Sequence, residues 1–177
     1  MKLSINDPLN WKTTISFLFL STLLILLTAW LTISGILPIN RVIDYTNEQA
    51  SFLKVWMTTA IFLGVLLPAS ALAIWIRHPQ PRQVLSFYLL VLIIQIATEQ
   101  VLTEVLFPSI AVTIGTIYTA FRLWQLWHSQ KLLAAKTGTI VPKHKLLSGL
   151  LWLMLLFWSS NLLMLLLLPW SLIAQHA

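Results

Sequence analysis

The sequence predicts an all-α membrane protein, a polytopic bundle of five transmembrane helices that forms a single integral membrane domain over residues 1–177. Hydrophobic residues make up 58% of the chain and charged residues only 9%, whereas soluble domains carry about 25% charged residues. Apolar runs near or above the roughly 20 residues that cross a hydrocarbon core as a helix recur along the chain. Basic residues are concentrated in the segments between these runs.

Five predicted spans follow from the apolar runs. They cover residues 13–36, 54–76, 84–107, 109–127 and 146–173. The first run is longer than the apolar part of a signal peptide, so we expect it to stay in the protein as a helix.

The third and fourth spans form one apolar block that is interrupted at Pro108. A single helix over both would be about 65 Å long, which is more than one bilayer crossing. Proline lacks a backbone N–H and disfavours helical geometry at the residue before it. We therefore expect a tight turn at Pro108. Four spans with one re-entrant segment are the alternative.

The charge distribution predicts the orientation of the chain. With five spans, nine of the 11 Lys and Arg residues fall on the side of the N-terminus, and loops rich in Lys and Arg stay in the cytoplasm. The predicted localisation is an integral membrane protein with its N-terminus in the cytoplasm and its C-terminus on the opposite side. The nine basic residues are Lys2, Lys12, Arg77, Arg82, Arg122, Lys131, Lys136, Lys143 and Lys145.

Several classes of function are disfavoured by what the sequence lacks. The chain contains no Cys, which excludes disulfides, thiolate catalysis and Cys-ligated metals. It has no paired metal-ligating His, no Walker loop and no nucleophile elbow. We predict no metal, no cofactor and no catalytic residue, and a non-enzyme is favoured over an enzyme. The net charge of +6 follows from topology, so nucleic acid is not expected as a partner, whereas membrane lipids are.

Polar residues in the third span predict an intramembrane site. Glu99 is four residues from both Gln95 and Thr103, and Glu104 follows five residues after Glu99. Residues four apart lie on one face of a helix. An ionised carboxylate at the depth of Glu99 costs a few kcal/mol, so it needs protonation, a polar partner from another helix or a water-filled cavity.

Polar residues of the fourth and fifth spans complete this predicted site. Hydroxyl and amide side chains let membrane helices approach each other and form hydrogen bonds. We expect Glu99 to face the fourth span near Thr116 or Thr119. The site is either a structural clamp or a binding site for a proton, a cation or another ligand. Its predicted members are Gln95, Glu99, Thr103, Glu104, Thr113, Thr116 and Asn161.

Two functions are compatible with these patterns. The first is a non-catalytic accessory, assembly or scaffold subunit of a larger membrane complex, with other membrane protein subunits as partners. Short connections that leave no soluble domain, and a Leu-rich fifth span, favour this hypothesis. The alternative is a small transporter or channel that handles a proton or cation through Glu99.

Overall fold

All regular structure in the described part of the chain is helical. The computed structural model describes residues 10–134 and 142–174. The helices are α1 (Trp11–Ile33), α2 (Asn47–Ile61), a π-helical turn (Phe62–Leu66), α3 (Leu67–Ile74), α4 (Pro79–Val105), α5 (Ile110–Ala134), α6 (Pro142–Leu167) and α7 (Pro169–Ala174). The predicted all-α fold is confirmed.

Within residues 10–134 and 142–174, four helical segments are long and apolar enough to cross a membrane. They are α1, the continuous helix Asn47–Ile74, α4, and Lys145–Ala174. These segments correspond to the first, second, third and fifth predicted spans, and they are compatible with an integral membrane protein. Helix α5 has 25 residues but is not among them, so the count of five spans stays a prediction.

The second helix begins earlier than predicted, at Asn47 instead of residue 54. Its start is a capping box. The Thr46 hydroxyl accepts a hydrogen bond from the backbone N–H of Gln49 at 3.3 Å, and the Gln49 side chain accepts one from the backbone N–H of Thr46 at 3.0 Å. These two bonds satisfy donors that a helix start leaves without partners. Apolarity alone does not mark this start, because the first turn is polar.

The predicted break at Pro108 is confirmed. Helix α4 ends at Val105 and α5 begins at Ile110, so residues 106–109 form the turn between them. Hydrogen bonds between side chains then show that α5 runs antiparallel to both α4 and α6. Arg122 bonds to Gln95 of α4, and on α6 Asn161 bonds to Thr119 while Ser148 bonds to Gln130.

The connections gather at two ends of the bundle. At the upper end, residues 34–46 meet α7 and the α4–α5 turn. The backbone N–H of Asn40 donates to the carbonyl of Ile173 at 3.0 Å, and that of Ser109 donates to the carbonyl of Arg41 at 3.1 Å. At the lower end, Trp11 meets Phe87, with ring centroids 5.4 Å apart.

The predicted orientation places the lower end in the cytoplasm and the upper end outside. The structure groups the connections but contains no membrane that would orient them, so this orientation stays a prediction. Of the basic residues that predict it, Lys2, Lys136 and the side chain of Lys143 lie outside the described residues.

The core lies along both faces of α4 and α5. One buried cluster centres on Tyr88 and Trp158, between α3, α4 and α6. A second cluster joins Ile25 of α1 to Ile114 and Tyr118 of α5. Helix α5 therefore packs against α1, α4 and α6, although its Trp124 and Trp127 side chains are exposed. Large apolar side chains on the outer surfaces of the other helices are exposed, as expected for helices that face lipid.

Candidate functional site

An arginine lies at the middle of the bundle. Arg122 has 0% of its surface exposed, and it is the central residue of α5, about 18 Å from either helix end. The charge pattern predicted Arg122 among the basic residues of the cytoplasmic side, whereas the structure buries it inside the bundle. The fourth predicted span ended at residue 127, which put Arg122 near a boundary, whereas α5 continues to Ala134.

Aromatic rings surround the Arg122 guanidinium. Its central carbon lies 3.9 Å from the centroid of the Trp158 ring and 5.6 Å from that of Tyr88. The electron-rich faces of such rings attract cations. The Nη2 group donates a hydrogen bond to the side-chain oxygen of Gln95. Among the described residues, Nε and Nη1 have no hydrogen-bond partner, so the charge of Arg122 is only partly compensated by polar groups.

Gln95 connects Arg122 to Glu99. Gln95 is buried on α4, and Glu99 follows one helical turn later, half-buried. The Glu99 carboxyl lies close to the Gln95 side chain and within range of the charge of Arg122. The basic partner of this carboxyl therefore comes from α5, as a charge and not as the hydroxyl that the sequence analysis expected.

Glu99 and Gln95 also line a cavity of about 350 Å³ in the upper half of the bundle. Its wall combines residues of α2, α4, α5 and α6, and the wall reaches Tyr45 in the loop at the upper end. Burial raises the pKa of Tyr45 above its ordinary value, so this hydroxyl stays neutral. The polar and aromatic members of the wall are Tyr45, Trp56, Gln95, Glu99, Trp158 and Asn161.

Asn161 lies at the cavity wall and forms hydrogen bonds to two other helices. Its side-chain oxygen accepts a hydrogen bond from the Trp56 indole N–H at 2.8 Å, and its amide donates to the Thr119 hydroxyl at 3.3 Å. These bonds join α2, α5 and α6 at one level. Since Asn161 is buried, each bond satisfies a polar group that would otherwise lack a partner.

The other predicted residues lie away from the cavity wall. The Thr103 hydroxyl donates to the backbone carbonyl of Glu99 at 2.7 Å, and Glu104 is exposed. Thr113 is buried on α5. The Thr116 hydroxyl accepts a bond from the Trp170 indole N–H at 2.9 Å. Of the seven predicted residues, the structure brings Gln95, Glu99 and Asn161 to the cavity.

Sequence reasoning missed the support of Arg122. The Trp158 indole N–H donates to the Tyr88 hydroxyl, and that hydroxyl donates to the carbonyl of Gly64, both at 2.8 Å. Gly64 lies in the π-helical turn, where an i→i+5 pattern replaces the α-helical one. A Cβ atom on Gly64 would lie 2.8 Å from a ring carbon of Trp158. The sequence signal that could have indicated this site was the position of Arg122, five residues before the end of the fourth predicted span.

No known protein family, curated protein or solved structure matches this chain.

The geometry limits what the site can do chemically. Within the described residues, no group of three His, Cys, Asp or Glu side chains could hold a metal ion. Glu99 can exchange a proton or pair with a cation that enters the cavity. Arg122 keeps its charge at neutral pH. When the Glu99 carboxylate holds no proton or cation, Arg122 can compensate its charge through Gln95. The site therefore has two ways to keep Glu99 neutralised.

Proposed function

We propose that this chain is a five-span membrane protein that takes up a proton or cation at Glu99, as a small transporter or channel. One observation carries the proposal: Glu99 lines a cavity of about 350 Å³ while a fully buried arginine lies on the other side of Gln95. A purely structural carboxyl needs a polar partner but no cavity.

The antiparallel packing of α5 supports a fifth crossing. Helix α5 lies alongside α4 and α6, both of which belong to segments apolar enough to span a membrane. Its polar residues lower its hydropathy, but several of them are buried against neighbouring helices, among them Arg122, Ser129 and Gln130. A side chain that is buried against another helix does not need to be apolar, because lipid does not contact that side chain.

Arg122 has a defined role in this proposal. A carboxylate in a medium of low dielectric constant is costly without a countercharge. When the cavity is empty, the guanidinium compensates Glu99 through Gln95. When a proton or cation arrives, it replaces that compensation. Glu99 is then compensated in both states, whereas Arg122 in the loaded state keeps only its hydrogen bond to Gln95 and its contacts with the Trp158 and Tyr88 rings.

The direction of access follows from the predicted orientation. Residues with basic side chains dominate the lower end, which we place in the cytoplasm. Tyr45 and Ile43, from the loop at the upper end, belong to the cavity wall. The ion therefore enters from the outer side of the membrane.

The accessory-subunit hypothesis uses different features of the chain. It depends on the exposed apolar surface, which other membrane subunits or lipids cover equally well, and it assigns no role to Arg122 or to the cavity. The site geometry therefore favours the transport hypothesis. Isolation from the membrane in a fixed complex, together with absent flux, would favour the accessory role instead.

Flux measurements test the proposed function. The purified protein is reconstituted in liposomes, and proton flux is followed with an internal pH dye while Na⁺ and K⁺ are exchanged outside. We expect flux in the wild type and its loss in Glu99→Gln. Glu104→Gln is the matched control, since it changes an exposed carboxyl of the same helix. Wild-type flux in Glu99→Gln, or no flux in the wild type, would refute the proposal.

A further inference from the structure

We infer that the cavity beside Glu99 binds an organic ammonium cation with an apolar body, an inference that rests on the proposed function in its use of Glu99 as the cation-binding group. The size of the cavity is the first reason. A volume of about 350 Å³ corresponds to roughly a dozen water molecules and falls within the range of small-molecule sites. A proton or a dehydrated metal ion would leave most of this space to be filled with water.

The composition of the wall is the second reason. Most of the described residues that line the cavity are apolar, and Glu99 is the one charged side chain among these. A ligand that fills this space must therefore present an apolar surface to residues such as Leu92, Val65 and Met164. A single positive charge on the ligand would pair with the carboxylate, whereas an anion would be repelled and a neutral ligand would gain no such pairing.

Aromatic rings of the wall add to the recognition of an ammonium group. Tyr45 and Trp56 line the cavity, and such rings attract organic cations, whereas the Trp158 ring already carries the Arg122 guanidinium. The Trp56 ring is held in place, because its N–H donates to Asn161 at 2.8 Å and its centroid lies 5.6 Å from that of Phe157. A preformed wall lowers the entropy cost of binding.

The positive charge of Arg122 does not occupy this space. Arg122 is not part of the cavity wall, although it contacts Gln95 and Trp158, which are. Its guanidinium is already placed over the Trp158 ring at 3.9 Å. The cavity therefore presents the Glu99 carboxylate to an incoming cation, while Arg122 lies behind the wall residues Gln95 and Trp158.

Binding of a matched pair of probes tests this inference. Benzyltrimethylammonium and its neutral isostere neopentylbenzene have the same shape and differ in charge. Each is titrated calorimetrically into the full-length protein in a neutral detergent, with empty micelles as the blank. We expect the ammonium to bind to the wild type and to Glu104→Gln, and about tenfold or more weakly to Glu99→Gln. The neutral isostere should give no signal beyond the blank.

A second variant covers the case in which Glu99→Gln fails to fold. Ala60→Trp keeps every charge and places a ring in the cavity that Ala60 lines, so it should abolish ammonium binding. Unchanged ammonium affinity in a folded Glu99→Gln or in Ala60→Trp overturns the inference, as does equal binding of the neutral isostere.

The two proposals fail separately. Ammonium binding without flux of protons, Na⁺, K⁺ or the ammonium itself keeps the ligand class and refutes transport. Ion flux that depends on Glu99 but occurs without ammonium binding keeps the proposed function and refutes the ligand class.

Discussion

Gly64→Ala tests whether the aromatic support of Arg122 is tightly packed. The new Cβ would lie 2.8 Å from a ring carbon of Trp158, whereas carbon atoms in contact are about 3.5 Å or more apart. The ring must therefore move by about 0.7 Å or the helices must separate. Trp158 has little freedom to move, because it donates to the Tyr88 hydroxyl at 2.8 Å and carries the Arg122 guanidinium on its face.

The magnitude follows from three contributions. Adding a methyl group to a filled interior costs about 1–3 kcal/mol. Displacing the Trp158 ring also weakens a hydrogen bond worth about 1 kcal/mol and the contact with Arg122. Alanine gains up to about 1 kcal/mol over glycine in helix propensity. Gly149→Ala, also in a helix, receives the same gain without a clash, because its Cβ meets nothing within 4 Å. We expect Gly64→Ala to be less stable than Gly149→Ala by about 1–3 kcal/mol.

The assay is equilibrium unfolding of the purified variants. The protein in mild-detergent micelles is titrated with SDS, and helix content is followed by circular dichroism. The free energies of unfolding of Gly64→Ala and Gly149→Ala are compared directly, which cancels the propensity gain. Equal free energies for the two variants would show that Trp158 yields without cost, and would refute the claim that Gly64 holds the support of Arg122 in place.

Three other predictions concern charge and orientation. Arg122→Met should lower the free energy of unfolding by about 3–5 kcal/mol more than Arg82→Met, since the loss of Arg122 leaves buried polar groups without their partner. The double variant Arg122→Met/Glu99→Gln should lose less stability than the sum of the two single variants. Strict additivity of the losses would contradict the pairing of Arg122 with Glu99. Because the chain has no Cys, single cysteines report topology: an impermeant maleimide added to cells should label Thr46→Cys directly and Arg82→Cys only after permeabilisation, and the reverse pattern would invert the orientation. Burial raises the pKa of Tyr45 above 10.0, so the neutral phenol is favoured in the folded state. The stabilisation that the phenol gives is present below pH 10 and is lost as the pH rises further. Tyr45→Phe should therefore flatten the alkaline fall in thermal stability, and parallel curves of thermal stability against pH for the wild type and the variant would count against this burial.

Much of the fold could be predicted because the bilayer imposes simple rules. Long apolar runs predicted four helices that the structure contains, and Pro108 marked the turn between α4 and α5 since proline cannot continue a helix. Helix α5 was harder to interpret. Its hydropathy is lowered by residues such as Arg122 and Gln130, which are buried against neighbouring helices, and composition cannot distinguish a side chain that faces protein from one that faces lipid.

The site was predictable only in part, for a related reason. Glu99 and Asn161 stand out because charged and amide groups are costly inside a membrane. Arg122 is equally costly, but near the end of an apolar run a basic residue is normally a sign of topology. Trp158 and Gly64 belong to residue types that are common in membrane helices. Their role depends on the Tyr88 hydroxyl, which accepts a hydrogen bond from the Trp158 indole and donates one to the Gly64 carbonyl, and no local pattern marks these bonds.

The π-helical turn Phe62–Leu66 makes the length of its helix as important as its composition. An α-helix advances about 100° per residue, and the wider turn takes up about one extra residue. The residues after the turn therefore point in directions different from those they would have if the whole segment were one uninterrupted α-helix. Deleting a single residue from this turn would rotate one half by about 100°, and would turn buried residues such as Ala71 and Trp75 away from α4. Single-residue deletions here should therefore be far more damaging than most substitutions, even though every remaining side chain would be unchanged.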